Sequence, residues 1–137
     1  MSAQRDVANV RGVNWQLDGL MLEVKFAAIA FTGTAQDVVA AVTGKKIRVL
    51  SAQFTLTGNV DNTAAFYSNG VAGTLLSGLL QPLALQTDAG GAAMVMISGK
   101  YHPYGAFETK SGEKLTVDGA GTTPVGEGFL TYVEIPA

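Results

Sequence analysis

The chain has 137 residues, 47% hydrophobic and 15% charged, with a formal net charge of −2, one histidine and no cysteine. That length suits one domain with a buried core, and the apolar content is ample to offset the entropy of folding. The lack of cysteine excludes disulfides, thiolate metal sites and cysteine nucleophiles, and the 9 Lys and Arg residues, clustered only at Lys45-Lys46-x-Arg48, leave no nucleic-acid footprint.

Residues 1–19, MSAQRDVANVRGVNWQLDG, have no apolar run after Arg5 and Asp6. Without that signal-peptide pattern, the expectation is synthesis in a cytoplasm and no export by a cleaved leader. The segment keeps neither a helical nor a strand period, yet Val10, Val13, Trp15 and Leu17 are apolar. It reads as an irregular N-terminal arm that packs on its own domain or on a neighbouring subunit. Residues 20–137 then form the domain.

Next comes LMLEVKFAAIAF, which contains Glu23 and Lys25 and is about half the length a membrane-spanning helix requires, so no span is expected. Its alternation sets Leu20, Leu22, Val24 and Phe26 on one face. Beyond Phe26 both faces are apolar, as in a strand covered on both sides. TAQDVVAAV offers Thr34 as a helix cap, but its valines disfavour a helix, and it reads as a strand or connector. KKIRVLSAQFTLTG is a long strand whose apolar phase changes near Val49 and Leu50, which calls for a bulge or for burial on both faces. In VAGTLLSGLLQPL the glycines weaken any helical turn. Further strands are expected at 64–67, 83–86, 92–98, 106–108, 114–117 and 129–135, separated by Gly-rich turns. Short strands at this spacing predict an all-β fold, a single antiparallel β-sandwich, jelly-roll-like.

Chemistry is sparse. One histidine and no cysteine do not make a transition-metal site. Asn59, Asp61 and Asn62 lack the later glutamate of a calcium loop and read as turn residues. No G-x-S-x-G elbow occurs, and VVAAVTGKK has Val39 where a phosphate loop needs glycine. The stretch YHPYGAFETKSGEKL gathers Tyr101, His102, Tyr104, Glu108 and Glu113. Pro103 holds His102 extended, and the tyrosines read as packing or interface anchors. Glu108 and Glu113 flank a Ser111-Gly112 turn beside Lys110 and Lys114, an ordinary exposed charge cluster. No enzyme, cofactor or metal site is expected.

Residues 45–135 carry a pattern: KKIRVLSAQFTLTG, AAFYSNGVAGTLLSG, a Gly-Gly turn, PYGAFETKSGEKLTVD and VGEGFLTYVEI. It resembles a small β-sandwich module of tailed-bacteriophage structural proteins. The resemblance implies a virion component, most concretely a capsid decoration (cement) protein on the outside of the head. Its partners would be the major capsid protein and its own copies, as a homotrimer. In that setting Arg5, Val10, Arg11, Val13, Trp15 and Leu17 of the arm are the expected shell contacts. The alternative is a glycan- or receptor-binding module of a tail or head fibre, with Tyr67, Tyr101 and Tyr104 stacking from loops. That reading sits poorly with a chain that has no fibrous shaft.

Overall fold

The structure, a computed structural model, describes residues 14–17, 20–58, 61–80, 91–99 and 105–137. All regular structure among them is β: β1 (Asn14–Leu17), β2 (Leu20–Glu23), β3 (Lys25–Thr32), β4 (Gln36–Val39), β5 (Lys45–Gly58), β6 (Thr63–Ser68), β7 (Thr74–Leu75), β8 (Gly91–Ser98), β9 (Phe107–Glu108), β10 (Leu115–Ala120) and β11 (Val125–Pro136). Two antiparallel sheets make the sandwich. The larger runs β3-β11-β5-β8, with β9 taking over from β8 on the same side of β5, and the smaller runs β4-β10-β6-β7.

The core lies between the sheets, where period-two alternation sends every second apolar side chain inward. Ile29 and Phe31 of β3, Phe54 and Leu56 of β5 and Leu130 of β11 meet Phe66 of β6 and Leu115 and Val117 of β10. Phe54 is the hub: its ring meets Phe31 and Phe66 edge-on, at centroid distances of 6.3 and 6.1 Å. Gly126 belongs to this packing, since a Cβ there would stand 2.2 Å from the Phe31 ring. A buried Asn62 ties the ends of the sandwich together. It donates to the carbonyls of Thr57 and Thr122 and accepts the Thr122 N–H.

The phase change in β5 has both of its physical causes at once. The pairing with β11 slips between Thr131 and Tyr132, so Ser51 faces Thr131 while Val49 faces Tyr132 and Leu50 is the extra residue. Val49 and Ala52 therefore both enter the main core, and Leu50 turns to the opposite side of the sheet. There it is buried with Val133 and Ile135 beneath Leu22 and Val24.

Two expectations change. Residues 14–17 of the supposed irregular arm form β1, a hairpin partner of β2 that sets Trp15 opposite Leu22 and Leu17 opposite Leu20. LMLEVKF is two strands broken at Val24, so Phe26 does not share the environment of Leu22 and Val24. Of the two readings of TAQDVVAAV, strand or connector, residues 36–39 take the strand, β4. The expected strand at 83–86 lies outside the described residues.

Candidate functional site

The two outer faces of the sandwich differ in kind. On the smaller sheet, Asp37 of β4 accepts from Lys114 at 2.8 Å and from the Thr116 hydroxyl at 2.9 Å. The lysine and hydroxyl bonds hold the Asp37 carboxyl below its ordinary range, against a weaker upward push from burial. This end of the face is suited to water, while the same row closes at β7 on the exposed Leu75.

The outer face of the larger sheet is different. Cross-strand register arranges it in rows: Ala30, Glu127, Thr55, Met94; then Ala28, Phe129, Gln53, Met96; then Phe26, Thr131, Ser51, Ser98. Glu127 is the one charged residue in these rows. Phe26 is 65% exposed and Met96 72%, with Phe129 and Met94 also open. Solvent-exposed sheets ordinarily alternate apolar-in with polar-out, and large apolar side chains gathered on an outer face mark a surface that meets another surface. At one end the same face is already covered, where β2 lays Leu22 over Leu50, Val133 and Ile135.

Charges collect around that covered end. Glu134 of β11 takes Lys25 at 3.2 Å and Lys45 at 3.6 Å, and the hydrogen bond to Glu134 raises the Lys25 pKa. A depression of 190 Å³ there is lined by Met21, Leu22, Glu23, Lys25, Lys45 and Glu134. Neighbouring Tyr132 has its pKa raised, chiefly by burial. On the strand paired with β5, Glu108 receives Arg48 and Lys46. Burial pushes the Glu108 carboxyl up, but the two cations together outweigh it and hold it below the usual range.

The expected exposed cluster of Glu108 and Glu113 with Lys110 and Lys114 does not form. Glu108 points at Arg48 and Lys46, whereas Glu113 accepts from the buried Ser68 hydroxyl, which also receives the Lys110 N–H. The turn itself is as read, closed by a Glu113 N–H to Lys110 carbonyl bond with Gly112 at φ +74°. The two carboxylates serve separate structural bonds because Arg48, in an apolar-looking strand, is 60 residues distant in sequence from its partner. The alternation of β5 does carry a signal for this pair: Lys46 and Arg48 fall on the face opposite Ile47 and Val49.

Among the contact residues expected from sequence, Trp15 and Leu17 lie in β1, and Arg5, Val10, Arg11 and Val13 lie outside the described residues. Tyr67 is not on a loop. It sits half-buried in mid-strand, between Thr116 and Leu75. Tyr101, His102 and Tyr104 lie outside the described residues. No group of His, Cys, Asp or Glu able to hold a metal occurs among the described residues. The apolar character of both faces beyond Phe26 is legible in the sequence, but Phe129 as a member of the same surface emerges only from the register.

No family model and no curated protein matches the chain. Among solved structures it is similar to a chain of the disulfide-linked pili that form Bacillus endospore appendages, at 20% identity and TM-score 0.41 over 85% of this chain and 89% of that one. It is similar to a chain of the cyanophage Pam1 capsid asymmetric unit at 16% identity and TM-score 0.40, over 82% and 84%. A third similar chain, from infectious bursal disease virus of the Gx strain, has 15% identity and TM-score 0.34, over 91% of this chain and 37% of that one.

Proposed function

We propose that this protein is a non-enzymatic structural component of a bacteriophage virion, a capsid decoration (cement) protein bound to the outside of the head. The observation that carries the reading is the contrast between the two outer faces. One is charged and hydrogen-bonded, and the other presents Phe26, Phe129, Met94 and Met96 among uncharged neighbours. A chain that leaves large apolar side chains open on one outer sheet face is built to be assembled. The sequence resemblance names the assembly.

In this reading the protein meets the major capsid protein through its N-terminal segment, with Arg5, Val10, Arg11 and Val13 leading into the Trp15 and Leu17 strand. Copies also associate with one another, three by the sequence resemblance. The mechanism is additive: each copy bridges shell subunits, and modest contact energy per copy, multiplied over several linked arms, opposes rupture of the lattice.

The test adds protein back to phage heads from which it has been removed and measures occupancy by sedimentation. Full-length protein is expected to rebind, and a form lacking residues 1–13, which keeps the β1–β2 hairpin, is expected not to. Failure of the full-length protein to rebind would overturn the assignment. Full occupancy by the truncated form would move the attachment surface from the arm to the sandwich.

A further inference from the structure

The two edges of the larger sheet are finished differently. At β3 the side chain of Gln36 stands in for a neighbouring strand. Its Oε1 accepts the Ala30 N–H at 2.7 Å, and its Nε2 donates to the Ala28 carbonyl at 3.2 Å. A long open edge recruits other strands, and proteins blunt such edges with charge, proline or a cover. β8 is not blunted in this way: GAAMVMIS holds no charged residue and no proline, and among the described residues no strand pairs with its outer side.

The ladder settles which backbone groups β8 offers. Gly99 donates to the Leu50 carbonyl at 2.7 Å, in the register that sets Ser98 opposite Ser51. Antiparallel alternation then turns the N–H and C=O groups of Ala93, Val95 and Ile97 toward β5, and those of Met94, Met96 and Ser98 away from it. The same alternation carried across β11 puts the groups of Ala28 and Ala30 on the outside of β3, where Gln36 meets them.

We propose that β8 pairs antiparallel with β8 of a second copy about a two-fold axis at Val95, joining two larger sheets into one. The inference rests on the self-association in the reading above and departs from its copy number, with two copies in place of three. Centring on Val95 sets Met94 of each copy opposite Met96 of the other, so every outward N–H finds an outward carbonyl. A slip by one residue would oppose outward groups with groups already used by β5. An uncharged strand meets its own copy with no like-charge repulsion, which a charged edge would impose. Val95, buried in one copy, gains its counterpart across the axis, and the exposed Met94 and Met96 cover one another. Three copies would close a ring through strand edges only if each offered a second open edge. Gln36 closes the other edge of this sheet, so the geometry favours two copies over three.

Proline separates the edge from the fold, because Met94→Pro and Met96→Pro remove an N–H that faces away from β5. Wild-type protein is expected to sediment as a dimer at micromolar concentration, and each proline variant as a monomer with an unchanged far-UV circular dichroism spectrum, its dissociation constant raised by about 100-fold or more, as for lost hot-spot contacts. In parallel, Met94→Cys protein is mixed with Met96→Cys protein under mild oxidation; the chain's lack of native cysteine makes the products unambiguous. The mixed disulfide is expected to exceed its random share, in which it already forms about twice as often as either symmetric product, because directly opposed residues stand at about 5.5 Å, within disulfide reach. A monomeric wild type, a dimer indifferent to Met94→Pro, or no preference for the mixed disulfide would overturn the proposal. Should a proline variant fail to fold, the cysteine pair decides alone. Head binding with no β8 pairing would sink this inference and spare the virion reading, and pairing without head binding would do the reverse.

Discussion

Arg48 sets its Nε at 2.8 Å and its Nη2 at 2.7 Å from one carboxylate oxygen of Glu108, while Lys46 reaches the other oxygen at 3.1 Å. Arg48 is only 6% exposed. Removing the carboxylate takes away the charge that Nε and Nη2 of the buried Arg48 meet in this pair, which costs more than the pair contributed by forming. Glu108→Ala is therefore expected to lower stability by about 3 kcal/mol. Glu108→Gln should cost less, because its amide oxygen still accepts. Urea unfolding with an unchanged m-value measures both; a loss for Glu108→Ala within about 0.5 kcal/mol, as at an ordinary surface site, would show that water relieves Arg48.

The same carboxylate makes stability depend on acid. Glu108 and Asp37 both have folded pKa values below their ordinary 4.5 and 3.8. Between the folded and unfolded pKa values the unfolded chain binds more protons, so stability rises with pH in that window. Their contribution is complete above the unfolded values and is lost as pH falls through the folded ones. The gap in urea midpoint between wild type and Glu108→Gln should hold steady from neutral pH down to about 5 and close at lower pH. A gap that persists in strong acid would show that the pair's charge is not its cause.

Gly128 and Gly126 lie where β11 has no room for a side chain. A Cβ at Gly128 would meet the Gln53 carbonyl oxygen at 2.1 Å and the Phe54 Cα at 2.5 Å, both backbone, whereas at Gly126 it meets the Phe31 ring. Each Gly→Ala change should cost about 1–3 kcal/mol through overpacking. Gly128→Ala should cost more, since a neighbouring strand yields less readily than a ring. The order is read from chemical denaturation of the two variants, and equal or reversed losses would contradict it.

Gln36→Leu opens the β3 edge. Two exposed hydrogen bonds are lost, a cost of about 1–2 kcal/mol, and the freed Ala28 and Ala30 groups become available to other chains. Light scattering of the folded variant over time should show association beyond that of wild type. Unchanged scattering would mean that Gln36 stabilises the fold without guarding the edge.

Much of this architecture is written in local pattern. The 45–58 strand, the turn at Ser111-Gly112 and the inward set of Phe54, Leu56 and Val117 follow from period-two alternation and turn chemistry, which act between near neighbours. The irregularity at Val49 and Leu50 was legible for the same reason, as a break in phase. The partner of each strand was not, because pairing is decided by which surfaces fit after the chain collapses. Arg48 finds Glu108 and Asn62 finds Thr122 only once distant strands are neighbours, whereas Gln36 reaches the β3 edge from the next strand in the chain. The outer face shows the division most clearly. Apolar residues on both faces of the strand beyond Phe26 call for a cover. That β2 covers Leu50, Val133 and Ile135 while Phe26, Phe129, Met94 and Met96 stay open was decided by the break at Val24 and the cross-strand register, which bring residues about a hundred positions apart onto one surface.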